Sequence, residues 1–393
     1  MSSTTVELAA ARSLSRSHAT TAAIPWTLYA VLFASTSVII GIIWDVSWHS
    51  SIGRDTFWTP AHMAIYVGGL VAGLACGWLA LQTTFAGSVA QRATSVAFWG
   101  FRAPLGAWVC LWGSFAMLTS APFDDWWHNA YGLDVKILSP PHVLLASGII
   151  AIQIGAMLMV LASQNRARES SDRDNTRLGL MFVYAAGLLI VTIAGVASEY
   201  QTRAMMHLPL YYQIAGALYP LFLVSTARAS RLRWPATLTA GTYMTIVLTM
   251  LWVLPLFPAT PLLGPIYNPI THMVPPRFPM LLIVPALAID LTLQRIGKIN
   301  PWALAVVLGS VFILVFLAAQ WPFADFLVSP WARNRVFAAH MFNYATPPTS
   351  LARQFKLIEH GPLAGGLLFA WGFAIVSALA GIGWGAWMRR VQR

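Results

Sequence analysis

The chain has 393 residues, of which 58% are hydrophobic and only 9% charged, with a mean hydropathy of +0.65. A soluble domain carries about 25% charged residues, so the composition excludes a soluble globular protein and points to an integral membrane protein. The net charge of +11 is not a nucleic-acid signal, because the Lys and Arg residues flank apolar runs, where they set orientation across the bilayer.

Residues 1–23 are polar and rich in Ser, Thr and Ala and read as a flexible cytoplasmic lead. The apolar run behind them is too long for a signal peptide and has no small-residue cleavage site. Ten apolar runs then follow, at roughly 24–44, 60–82, 100–121, 140–163, 178–199, 208–226, 235–257, 278–296, 302–323 and 364–388. A helix of about 20 residues crosses a bilayer. The expected fold class is therefore all-α, a polytopic integral membrane bundle of about ten transmembrane helices. The charged stretch 163–177 separates a four-helix region, 24–163, from a six-helix region, 178–393, whose role the sequence does not assign. Two long segments, 258–277 and 324–363, are rich in Pro and aromatics and read as a lid or as stretches dipping into the membrane surface. Roughly two thirds of the 24 Lys and Arg lie on one side of the spans, which places both termini in the cytoplasm. The expected location is a bacterial inner membrane. Cys76 and Cys110 read as small packing residues; two cysteines build no thiolate framework.

Between the first and second runs stands WDVSWHSSIGRDTFWTPAH (44–62), and between the third and fourth FDDWWHNAYGLDVKILSPPH (123–142). Aligned, Asp45 falls on Asp124, His49 on His128, Gly53 on Gly132, Asp55 on Asp134, Thr59-Pro60 on Ser139-Pro140 and His62 on His142, with one extra residue in the second loop. Asp45 and His49, at i and i+4, share a helix face. Thr59-Pro60 reads as a helix start with Pro at its first position, which puts His62 in the next helix's first turn. Each hairpin thus brings a carboxylate and two imidazoles together at the outer side of the membrane. That is a ligand set for copper, iron or zinc. The candidate metal ligands are Asp45, His49, His62, Asp124, His128 and His142. Asp55, Asp134 and Asp125 stand behind them as carboxylates able to orient the imidazoles. Asp55 and Asp134 read equally well as loop ion pairs with Arg54 and Lys136. Gly69, Gly73 and Gly77 follow His62 as a small-residue stripe suited to close helix packing. His207, His272, His340 and His360 read as outer-surface residues or a further site, and Asp290 as a proton-path residue or a partner of Arg295.

The two motifs resemble those of the metal-bearing membrane subunit of the copper membrane monooxygenases, particulate methane monooxygenase and ammonia monooxygenase. That family's first motif, Asp-x3-His-x12-His, matches Asp45, His49 and His62 at every position, with Trp48, Arg54-Asp55-Thr56 and Thr59-Pro60 alongside. Its second, Asn-x3-His-x13-His two spans later, matches Asp124, His128 and His142 with Asp124 in place of Asn. The resemblance covers residues 24–163. The chain departs from the family in having little room for helices ahead of the first motif and six spans after the second. The resemblance implies a copper enzyme that hydroxylates a small apolar substrate, an alkane or ammonia, with dioxygen. It also implies a quinol reductant and other monooxygenase subunits as partners, beside the lipid bilayer. Trp44, Trp48, Phe57, Trp58, Trp126 and Trp127 are expected to wall the pocket and keep it dry. The competing readings are a non-catalytic copper- or zinc-handling membrane protein and a transporter.

Overall fold

The computed structural model describes residues 24–132, 139–166, 172–297, 299–359 and 363–392; the N-terminal lead, Asp134, Lys136 and His360 lie outside them. All ten apolar runs are helical. They form α1 (Trp26–Ser51), α2 (Pro60–Leu81, continued by a π turn to Ala86) and, after a short α3 (Val89–Ala93), α4 (Leu105–Tyr131) and α5 (Pro140–Arg166). Beyond these come α6 (Asp172–Val196), α7 (Pro209–Ala229), α8 (Pro235–Val253), α9 (Ile283–Arg295), α10 (Pro301–Val328), the short α11 (Leu351–Gln354) and α12 (Leu363–Met388). Among the described residues, apart from these helices and short helical turns, the regular structure is one antiparallel hairpin, β1 (Val96–Phe98) with β2 (Phe101–Ala103), between α3 and α4.

Eight of these helices are long and apolar enough to cross a membrane, two fewer than the sequence suggests. The shortfall has two causes. In α7, Tyr211, Tyr212, Gln213 and Tyr219 dilute the apolar run. The three tyrosines are buried in protein, and a helix shielded from lipid needs no uniformly apolar surface. The run 278–296 yields only the 13 residues of α9, about 20 Å at 1.5 Å per residue against a hydrocarbon core of about 30 Å. Pro275, Pro276 and Pro279 keep the preceding chain out of the helix. Side chains there take over the backbone's hydrogen bonding: Met280 N–H donates to the Tyr243 hydroxyl (3.1 Å) and Leu281 N–H to Gln320 Oε1 (3.0 Å). Irregular backbone at membrane depth survives only when satisfied by protein in this way.

The helices alternate in direction, so the loops after α1, α4, α6, α8 and α10 all emerge at one end of the bundle, the motif end. α1 packs on α2, α5 and α6; α4 packs on α2 and α5; α12 packs on α7 and α10. α4 crosses α5 backbone to backbone. A methyl group on Gly113 would stand 2.6 Å from Gly148 O, and one on Gly148 2.7 Å from Gly113 O. The stripe on α2 meets α4 as well: Ser114 Oγ donates to Gly69 O (2.5 Å), and a Cβ on Gly73 would meet Ser114 Oγ. Cys76 and Cys110 are fully buried, with Cys76 Sγ against Met159 Sδ and the Cys110 thiol donating to Ile152 O. A large apolar surface stays exposed around the bundle, with Leu74, Leu314, Phe369 and Val376 each more than 60% accessible. This is the surface lipid covers.

Among the described residues Asp290 makes no ion pair with Arg295. It is buried and caps the start of α8, accepting from Ala236 N–H (3.2 Å), Thr237 N–H (2.8 Å) and the Thr237 hydroxyl (2.8 Å). A carboxylate there satisfies otherwise unpaired amides and complements the positive helix end.

Candidate metal centres

Both hairpins close by the same local chemistry. α1 and α4 run on through Asp45–Ser51 and Asp124–Tyr131, so the Asp and the first His of each motif lie one turn apart on one face. Each helix then ends at a glycine in the left-handed region, Gly53 (φ +85°) and Gly132 (φ +86°). Gly53 N–H donates back to Trp48 O and Gly132 N–H to His128 O, the helix-stopping geometry that glycine adopts without steric penalty. This explains why glycine recurs at that position of the repeat. The next helix starts at Pro60 or Pro140. Ser139 Oγ accepts from His142 N–H (3.4 Å) as a cap. Thr59 Oγ1 instead accepts from Thr56 N–H (2.8 Å), inside the loop.

In the first hairpin Asp45, His49, Asp55 and His62 converge, each offering a ligand atom within 4.8 Å of the others. His62 Nε2 lies 3.1 Å from Asp45 Oδ1 and 3.5 Å from Asp55 Oδ2; His49 Nε2 lies 3.8 Å from Asp45 Oδ2 and 3.4 Å from Asp55 Oδ2. The second imidazole nitrogens face backbone carbonyls: His62 Nδ1 lies 2.9 Å from Thr56 O, and His49 bonds the Gly53 backbone. A carbonyl only accepts, so Nδ1 carries a hydrogen, and Nε2 turns towards the carboxylates, donating to them when the imidazole is protonated and offering a lone pair when it is neutral. Asp55 therefore stands with the imidazoles, and Arg54 uses its carbonyl to accept from Trp48 Nε1–H (2.9 Å). The hydrogen bond with His49 holds the Asp55 carboxyl below its ordinary range, against the opposing effect of burial.

In the second hairpin Asp124, His128 and His142 converge on the same 4.8 Å scale. Asp124 Oδ2 is 3.4 Å from His128 Nε2 and Asp124 Oδ1 is 3.5 Å from His142 Nε2. His128 Nδ1 faces Gly132 O at 3.3 Å, repeating the relation of His49 to Gly53. Asp125 is outside this cluster; its carboxylate accepts from Asn129 Nδ2 (3.4 Å). Asp134, the counterpart of Asp55, lies outside the described residues.

One atom in each centre tests whether a cation fits. Asp45 Oδ1 and Asp124 Oδ1 are buried and accept no hydrogen bond, although an imidazole nitrogen stands near each. A buried carboxylate oxygen left without a hydrogen bond is costly. Two such atoms at matching positions, one 3.1 Å and the other 3.5 Å from an imidazole nitrogen, are what a bound cation satisfies. The donor set of nitrogen and oxygen suits a transition metal.

The surroundings were less legible in the sequence. Trp44 and Trp48 do not line the centre. They pack with Ile43 and Ile52 against Met250, Leu254, Ala259 and Met273. Phe57 packs on Trp58 and Tyr66, with ring centroids 5.1 Å apart in both pairs, and Phe123, Trp126, Trp127 and Tyr131 cluster beside the second hairpin. Among the other histidines, His207 stacks on Trp321 and lies 3.5 Å from Asp325, and His272 bonds Thr271. Neither joins a metal-ligand group among the described residues.

No family model, curated protein or solved structure matches the chain. The resemblance to the copper membrane monooxygenases rests on the two motifs.

Proposed function

We propose that the paired hairpins are transition-metal centres, that the metal is copper, and that the protein is the metal-bearing part of a membrane oxygenase acting on a small apolar substrate. The observation that carries the metal reading is the pair of buried oxygens without a hydrogen bond, Asp45 Oδ1 and Asp124 Oδ1, each in a carboxylate that faces two imidazoles. Asp45, His49, His62 and Asp55 would hold one ion, and Asp124, His128 and His142 the other. Copper is favoured because a given nitrogen and oxygen site binds Cu(II) more tightly than the other first-row divalent ions; iron and zinc accept the same donors. Bound copper would supply the activation of dioxygen. The chain's own residues hold each imidazole in one tautomer through a backbone carbonyl and set aromatic rings beside the ligands to limit water. The ligand side chains remain 18–48% exposed, which leaves a face for substrate. The oxygenase step, the quinol reductant and partner subunits rest on the motif resemblance. The Arg-rich loops at the opposite end of the bundle support a periplasmic position for both centres.

The test is metal analysis of protein extracted with its native lipids, with paramagnetic resonance of any copper. The expected result is imidazole-coordinated copper, part of it lost in H49A/H62A and the rest in H128A/H142A. Metal content unchanged in both double variants overturns the reading. Dioxygen uptake that requires both a quinol and an alkane or ammonia supports the oxygenase; bound copper without uptake assigns the protein to metal handling instead.

A further inference from the structure

In the half of the bundle opposite the metal motifs, a groove of about 370 Å³ opens between α1, α6 and α8. Leu32 of α1, Leu180, Met181 and Tyr184 of α6, and Leu238 and Thr242 of α8 line it. These residues lie no deeper than the middle of helices that begin at that end. One side of the groove is open, with Leu180 and Leu238 exposed there. The polar atoms of its lining are already used. The Tyr184 and Thr36 hydroxyls share a hydrogen bond (2.8 Å), and the Thr242 hydroxyl donates to Leu238 O (3.0 Å). An occupant with polar atoms would leave them unsatisfied, at a cost. A hydrocarbon chain carries no such penalty.

The outer rim of the groove is basic. Arg177, Leu180, Met181 and Tyr184 stand at i, i+3, i+4 and i+7, so they share one face of α6. At 1.5 Å per residue, Arg177 lies about 6 Å above Met181 along the helix axis. On α8, Leu238 N–H donates to Trp234 O (3.0 Å), which puts Trp234 one turn above Leu238, and the Arg233 guanidinium carbon lies 5.2 Å from the Trp234 ring centroid. The two halves of the rim touch. A Cβ on Gly179, two residues past Arg177, would stand 3.0 Å from Leu232 Cγ, next to Arg233. Arg177 and Arg233 are both exposed, and among the described residues no carboxylate lies within ion-pair distance of either.

We propose that the groove holds one acyl chain of an anionic phospholipid whose phosphate is bound by Arg177 and Arg233. The order of chemistry along the groove is that of the lipid, with cations at headgroup level and an apolar channel about one turn further into the membrane. Arginine forks match phosphate oxygens in pairs, and basic side chains at a membrane surface favour anionic headgroups.

The experiment titrates the full chain, delipidated in detergent, with dioleoyl phosphatidylglycerol or dioleoyl phosphatidylcholine and counts bound lipid by native mass spectrometry. The first phosphatidylglycerol is expected to bind about tenfold more tightly than phosphatidylcholine. R177Q/R233Q is expected to erase that preference, and R390Q, which removes another exposed arginine at the same end, to keep it. L238W, which fills the groove with an indole, is expected to weaken binding of both lipids. A further measurement needs no variant: phosphatidylglycerol carrying a photoreactive diazirine on its acyl chain is expected to label the parent chain within 180–184 or 238–242. Equal affinity for the two lipids overturns the proposal, as does a preference that survives in R177Q/R233Q. Binding unchanged in L238W, or labelling confined to other segments, overturns it as well.

Discussion

The two hairpins carry nearly the same ligands on nearly the same backbone, yet the rest of the molecule treats them differently. The first is clamped. Leu262 N–H donates to Ile52 O (2.9 Å) and Tyr344 N–H to Ser50 O (3.2 Å). Ser47 Oγ donates to Val274 O (2.6 Å), and Val274 N–H to Ser51 Oγ (2.7 Å). Gly53 lies against the Tyr344 hydroxyl so closely that no Cβ fits. Among the described residues the second hairpin meets nothing at Gly132, and it leaves Trp126 and Tyr131 largely exposed. The segments 258–277 and 324–363, ambiguous in the sequence, are thus a brace over the first centre. A ligand set held by its surroundings binds with less reorganisation than one held by its own hairpin. The first centre, with Asp55 as a fourth group, is the preorganised one.

That contrast can be broken at several points. The largest effect is expected at the carboxylates: D55N should weaken metal binding at the first centre by about 10–100-fold, the usual result of removing a group that orients an imidazole. D125N should leave the second centre unchanged. Metal titration of each variant decides it, and equal effects would erase the distinction between the centres. Next come the matched glycines. G132A meets nothing among the described residues, so only the backbone, at φ +86° and ψ 178°, is penalised, by about 1–3 kcal/mol. G53A adds a collision with Tyr344 and should lower the thermal midpoint further; a G53A variant as stable as G132A would mean the brace is loose. The smallest effect is on pH. The Asp55 carboxyl is held low mainly by its bond with His49, so its contribution to stability is complete above the ordinary carboxylate pKa, about 3.9. It disappears as pH falls through the depressed value. In chelator, the midpoints of parent and D55N should differ at neutral pH and converge below about pH 4; a gap that persists in acid would assign the effect to packing.

Much of this was legible along the chain. Apolar length alone located ten helical segments, of which eight are long and apolar enough to cross a bilayer. The i, i+4 spacing of Asp45 and His49, and the Pro-led helix starts before His62 and His142, sufficed to bring the ligands of each hairpin together, because these are relations within one or two turns. The repeat of Gly53 and Gly132 was visible, although its backbone reason was not.

What the sequence left open depended on partners distant along the chain. Whether α9 spans the bilayer turned on Tyr243 and Gln320 satisfying the backbone ahead of it. Asp290 became a helix cap only because the start of α8 lies beside it. Trp44 and Trp48 read as pocket walls until the end of α8 and Met273 claimed them. Local spacing fixes which side chains share a face, since helix geometry is set by neighbouring residues. Which surface that face meets, and therefore which centre is braced and which stands open, is decided only when helices far apart in sequence pack.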